Sequence, residues 1–85
     1  DKTIKHFGYF NTKLLKLNPE DTVDIIGFDT DACVLATAFN IFDSGCSFRI
    51  FKDLCWSSGG KVMHITGLAI MERNFGDAVT VSKEA

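Results

Sequence analysis

The alternation of two hydrophobic periods along the chain is what most constrains its fold. Residues 22–28, TVDIIGF, have the β-branched content and length of a buried strand. Residues 31–43 then carry apolar side chains on nearly every side, leaving a narrow polar stripe at Thr37, Asn40 and Ser44. That pattern predicts a largely buried helix, ended by Ser44-Gly45. CSFRIF (46–51) alternates as a strand, and KDLCWSSGG (52–60) reads as a loop. Residues 61–74 have helical spacing with Val62, Ile65 and Ala69 on one side, and DAVTV (77–81) is a last strand. Upstream, DKTIK closes a strand, and Phe10, Leu14 and Leu17 share a helical face that NPED (18–21) stops. The order is β-α-β-α-β-α-β with an incomplete first strand. Strands that alternate with helices imply a parallel sheet with right-handed crossovers. The expected fold is therefore α/β: a three-layer, Rossmann-like parallel sheet of three to four strands flanked by three helices. Ligands of such sheets sit at the carboxyl ends of the strands. Three segments reach that edge: the turn after Phe28, the loop after Phe51, and Lys5 with the residues that follow it.

Size narrows the reading further. The chain has 85 residues, 46% of them hydrophobic, and a formal charge of −2. It allows one small unit with a modest core and no strong field to recruit nucleic acid or an anionic membrane. No apolar run approaches the roughly 20 residues of a membrane span, and DKTIKHFGYF lacks the pattern of a signal peptide. The three cysteines, Cys33, Cys46 and Cys55, are odd in number and form no C-x-x-C pair. A reducing compartment, the cytoplasm, is the expectation. The chain starts on Asp, and its final VSKEA directly follows the strand-like AVTV. Residues 1–85 are thus read as one continuous piece, the C-terminal part of a longer domain. A sheet cut in this way would need a cover, either a second copy of the chain or the N-terminal half of the fold.

The segment IIGFDTDACVLATA (25–38) carries the chemistry, and two residue types compete for it. A strand ending in D-x-D, as Asp29-Thr30-Asp31 does, resembles the haloacid dehalogenase phosphatases, in which the first aspartate is a nucleophile and magnesium bridges phosphate and carboxylate. Against that resemblance, Gly27 stands where those enzymes have a bulky strand residue, and Cys33 where they have threonine or valine. No later acidic pair completes the magnesium site. The other candidate is Cys33, in the first turn of the helix. There the helix dipole and unpaired backbone N–H groups favour an anionic sulfur and can bind the oxyanion it creates. Thr30 or Asp31 is placed to cap that helix. A cysteine that simply packs is the structural alternative, since cysteines are among the most buried residues.

GFDTDACVLATA resembles the G-x-x-T-D-x-C-V-x-x-T-A signature of the isochorismatase-like cysteine hydrolases, a family that includes the nicotinamidases. Gly27, Thr30, Asp31, Cys33, Val34, Thr37 and Ala38 all match. KHFGYFNTKL (5–14) and KDLCWSSGGKVMHITGLAIME (52–72) extend the likeness over almost the whole chain, which corresponds to the C-terminal half of that fold. The resemblance implies an amidohydrolase acting on a small-molecule amide through a thioester. Cys33 would be the nucleophile and Lys5 the catalytic lysine. The backbone amides of Asp29 and Cys33 would form the oxyanion hole, and the Phe28–Asp29 peptide would be cis. The catalytic aspartate of the family belongs to an upstream strand, and Asp1 lies on the wrong side of Lys5 to replace it. No cofactor is implied for this segment. The zinc or other divalent metal of nicotinamidases would be held by the upstream half.

The remaining residues divide more simply. Trp56, with Phe28 beside it, is placed to wall an aromatic pocket, although Trp56 would also fill a subunit interface. The family more often has small residues at Trp56, which leaves substrate size open. His64 lies off the Val62–Ile65–Ala69 stripe and reads as a surface or interface histidine. Cys46 and Cys55 read as structural, and Phe7, Tyr9 and Phe10 as core or interface.

Overall fold

The computed structural model describes residues 20–84. Lys5, Phe7, Tyr9, Phe10 and the upstream strand and helix lie outside that range. Within it the elements are β1 (Thr22–Phe28), α1 (Cys33–Ser44), β2 (Ser47–Trp56), α2 (Lys61–Phe75) and β3 (Val79–Thr80). The three strands form one sheet in the order β1-β2-β3, and both pairings are parallel. This is the α/β architecture that the alternating periods predict.

Two crossovers that step in the same direction place both helices on one face of the sheet when each is right-handed. The packing agrees. The Phe75 ring of α2 meets Phe39 and Phe42 of α1, and it stands edge-on to Phe48 of β2 at 5.1 Å. The core between helices and sheet holds Val23, Ile25, Val34, Ala38, Ile41, Ile50 and Met71. Ile41, Ile50 and Met71 are wholly buried. On the other face Asp24 and Arg49 are register partners, and the guanidinium donates two hydrogen bonds to the carboxylate, at 2.8 and 3.0 Å. Both side chains remain about a third exposed, so the pair contributes no more than about 1 kcal/mol. A layer on that second face would have to come from outside the described residues.

Helix α1 buries Val34, Thr37, Ala38 and Ile41, an i, i+3, i+4, i+7 face. Thr37, expected in a polar stripe, is inside that face. Gly45 ends the helix as expected: it takes the left-handed conformation at φ 83°, and its N–H donates to the Phe42 carbonyl.

Three expectations need correction. Residues 52–56 are not loop but the second half of β2. Between Ile25↔Ile50 and Gly27↔Cys55, β1 advances two residues while β2 advances five. Strand pairing resumes after this bulge, and the polar Lys52-Asp53 that looked like a loop sits within it. The last strand is two residues long, because residues Gly76–Ala78 turn in a 3₁₀ helix first. Finally, α2 packs on the opposite face from the one its hydrophobicity indicates. Its buried residues are His64, Gly67 and Met71, whereas Val62 and Ile65 are exposed.

Candidate active site

The carboxyl ends of β1 and β2 lie side by side, with Phe28 paired to Trp56. From there the chain makes two turns, Asp29–Ala32 into α1 and Ser57–Gly60 into α2. Cys33 opens α1 at this edge and is half-buried. The first turn is wound tightly, since the Asp29 carbonyl accepts the N–H groups of Ala32 (3.1 Å) and Val34 (2.9 Å). The Phe28–Asp29 peptide is cis, as the resemblance implied.

Neither Thr30 nor Asp31 caps α1, contrary to expectation. The N-cap position is Ala32, with no side-chain cap. Both candidate caps are engaged elsewhere. Asp31 accepts the Ser57 hydroxyl at 2.5 Å, and Ser57 is almost fully buried. Asp29 accepts two hydrogen bonds from Ser58, from its N–H (2.7 Å) and its hydroxyl (2.9 Å). The two carboxylates of the D-x-D pattern therefore tie the first turn to the second. They do not converge with a third acidic group. Among the described residues no three His, Cys, Asp or Glu side chains are grouped to hold a metal ion.

Thr30 is fully buried and completes the tie. Its N–H donates to the Trp56 carbonyl (3.0 Å), and its hydroxyl shares a 2.7 Å hydrogen bond with His64 Nδ1. The His64 ring in turn stacks on the indole of Trp56, with centroids 4.9 Å apart and planes 34° apart. His64 is thus buried against the turn rather than on the surface, and it was missed because its partner is 34 residues away in the chain. Ser57 and Ser58 were also missed. The polar, glycine-containing WSSGG at a strand's carboxyl edge was the available signal. Gly67 is a fourth. A Cβ there would meet the Asp31 N and Cα and the Thr30 carbonyl carbon at 2.9 Å, so α2 approaches the turn as closely as only glycine permits.

The aromatic pair at this edge remains accessible, with Phe28 62% and Trp56 53% exposed. Cys55 and Cys46 are buried, as expected of structural cysteines. The groove formed by Phe42, Phe48, Asn74 and Phe75 lies at the opposite, amino-terminal end of the strands, away from Cys33.

The geometry therefore gathers the residues of the G-x-x-T-D-x-C-V segment into one edge turn with the cysteine at the head of a helix. The isochorismatase domain family model matches the chain over residues 1–83. The chain belongs to the isochorismatase domain family. No curated protein and no solved structure matches it. As an isochorismatase-family domain it is a hydrolase of the cysteine hydrolase type. Lys5, the lysine that the resemblance assigns to catalysis, falls within the matched region but outside the described residues. No described helix is long and apolar enough to cross a membrane.

Proposed function

We propose that this isochorismatase-family domain cleaves the C–N bond of a small-molecule amide, in the manner of a nicotinamidase, with Cys33 as nucleophile. The observation that carries the reading is the position of Cys33 as first residue of α1, immediately beyond the carboxyl end of β1. In the proposed reaction the Cys33 thiolate adds to the amide carbon. The oxygen becomes negative and is received by the backbone N–H groups of Asp29 and Cys33. The C–N bond breaks, the nitrogen takes a proton and leaves as ammonia, and water hydrolyses the thioester to the acid. Lys5 serves as the cation that favours the thiolate. The proton carrier is an aspartate, as the resemblance implies. A divalent ion such as zinc, where one participates, would need ligands from beyond the described residues, among which no three His, Cys, Asp or Glu side chains are grouped.

Phe28 and Trp56 support a flat, apolar substrate, since both present exposed aromatic surface beside the turn. A second copy of the chain, or the N-terminal half of the fold, is proposed as the partner that covers the remaining apolar surface. Cytoplasmic residence is proposed from the free thiols of Cys33 and Cys55.

The test is ammonia release from nicotinamide and other aromatic amides by the full-length protein, before and after Cys33→Ala. Loss of the nucleophile should lower kcat by more than about 10³-fold. Undiminished turnover by the variant would remove Cys33 from the mechanism.

A further inference from the structure

The proposed reaction gives His64 no part, yet His64 touches both Thr30 of the turn and Trp56 at the end of β2. Its Nδ1 holds the buried Thr30 hydroxyl at 2.7 Å, its ring stacks on Trp56 at 4.9 Å, and the Trp56 carbonyl accepts the Thr30 N–H at 3.0 Å. These contacts close a loop through three residues from three elements: the nucleophile turn, the end of β2 and the first half of α2. Thr30 follows Asp29 directly and precedes Cys33 by three residues. A displacement of Thr30 therefore moves the Cys33 sulfur and the Asp29 amide relative to each other. Reactions of bound substrates respond strongly to ångström-scale misplacement. A buried polar atom left unpartnered is unfavourable, so the His64–Thr30 contact holds the two groups together by satisfying both.

We infer that His64 is a positioning residue of the hydrolase, latching α2 to the nucleophile turn through Thr30 and setting the pose of Trp56 through its ring. The inference rests on the reading of Cys33 as nucleophile. It assigns the two halves of the imidazole different duties. The hydrogen bond governs the chemical step, and the ring face governs the aromatic wall and hence substrate binding.

The two duties separate by substitution in the full-length protein. His64→Asn keeps an amide near the place of Nδ1 and removes the ring. His64→Phe keeps a ring and removes the hydrogen bond. Thr30→Val exchanges the hydroxyl for a methyl of similar size. Three readouts apply: kcat and KM on the amide, the rate at which iodoacetamide alkylates Cys33, and the emission of Trp56 measured against a Trp56→Phe background. His64→Phe and Thr30→Val are expected to lower kcat and the Cys33 alkylation rate by roughly tenfold or more, with KM little changed. His64→Asn is expected to restore most of kcat while raising KM and shifting the Trp56 emission, which His64→Phe preserves. Equal behaviour of the Asn and Phe variants, or wild-type kinetics in Thr30→Val, would overturn the inference. Should the His64 variants not fold, Thr30→Val against Thr30→Ser decides, because only the serine retains the hydroxyl. If the wild-type protein hydrolyses no amide, the proposed function fails, and the alkylation rate of Cys33 still reads the latch.

Discussion

The reactivity of a cysteine depends on where the fold holds it, and this chain holds two in contrasting settings. Cys33 stands half-buried at the head of α1, on the edge where ligands of parallel sheets bind. Cys55 is 7% exposed, and burial pushes its thiol up from 9.0 to about 11, against a smaller opposite pull from its hydrogen bond to the Gly27 backbone. Iodoacetamide at about pH 8 should therefore modify Cys33 and leave Cys55 intact, as peptide mass mapping would show. Preferential labelling of Cys55 would refute this contrast. The same shift has a consequence for stability. Between 9.0 and about 11 the folded protein keeps a proton on Cys55 that the unfolded chain has released. The stabilisation is complete below that window and declines as pH rises through it. The urea midpoint of the wild type should fall across the window more steeply than that of Cys55→Ala. Parallel pH profiles would show that the thiol is not the group responsible. At this scale the place of Cys33 at the head of a helix was legible in the sequence, because the glycine, the T-D pair and the valine that frame it are its near neighbours. His64 was not legible, because its partner is 34 residues away, and WSSGG marked Ser57 and Ser58 only as edge residues without naming partners at least 26 residues away.

Among the elements, α2 shows where periodicity alone misleads. Val62, Ile65 and Ala69 recur at helical spacing, and so do His64, Gly67 and Met71 on the other side. Hydrophobicity favours the first set, but the fold buries the second. Two tertiary facts decide it: the His64–Thr30 hydrogen bond and the close approach that Gly67 allows. The strand β2 was half legible for a similar reason. Its paired Ser47–Ile50 section alternates cleanly, whereas the Lys52-Asp53 within the bulge carries no strand signal. Asp53 is fixed there from a distance, accepting the N–H and hydroxyl of Ser82, which hold its carboxyl below the usual range. Gly67→Ala tests the packing account of α2. Alanine is favoured over glycine in a helix by about 1 kcal/mol, so an uncrowded site would become more stable. Here the added methyl must displace backbone atoms at 2.9 Å, and overpacking of that kind is unfavourable by about 1–3 kcal/mol. The contact outweighs the propensity. A lower urea midpoint and lower kcat are expected, and a stabilised variant of full activity would show that α2 stands further from the turn.

For the molecule as a whole, the inverted setting of α2 leaves an apolar face without a cover among the described residues. Val62 is 75% exposed, with Met63, Ile65 and Ile70 also exposed nearby. Single exposed apolar residues are ordinary on protein surfaces, but a run of them on one helix marks a contact with another surface. The Ile41, Ile50 and Met71 core does not need this face, since those residues are already fully buried by the sheet and α1. The two sets of residues should therefore respond differently to substitution. Met71→Ala opens a cavity and should lower stability by about 2–5 kcal/mol at any protein concentration. Val62→Ser with Ile65→Ser removes apolar surface that the protomer does not bury. It should leave the dilute protomer within about 1 kcal/mol of wild type. If a second copy covers the face, light scattering should show the wild-type assembly falling to a smaller mass in the double variant, with the concentration dependence of its thermal midpoint lost. An unchanged mass together with a large loss of stability would mean that the face is packed within the protomer, by residues outside the described range. A monomeric wild type whose double variant keeps its stability would mean that the face is open to water.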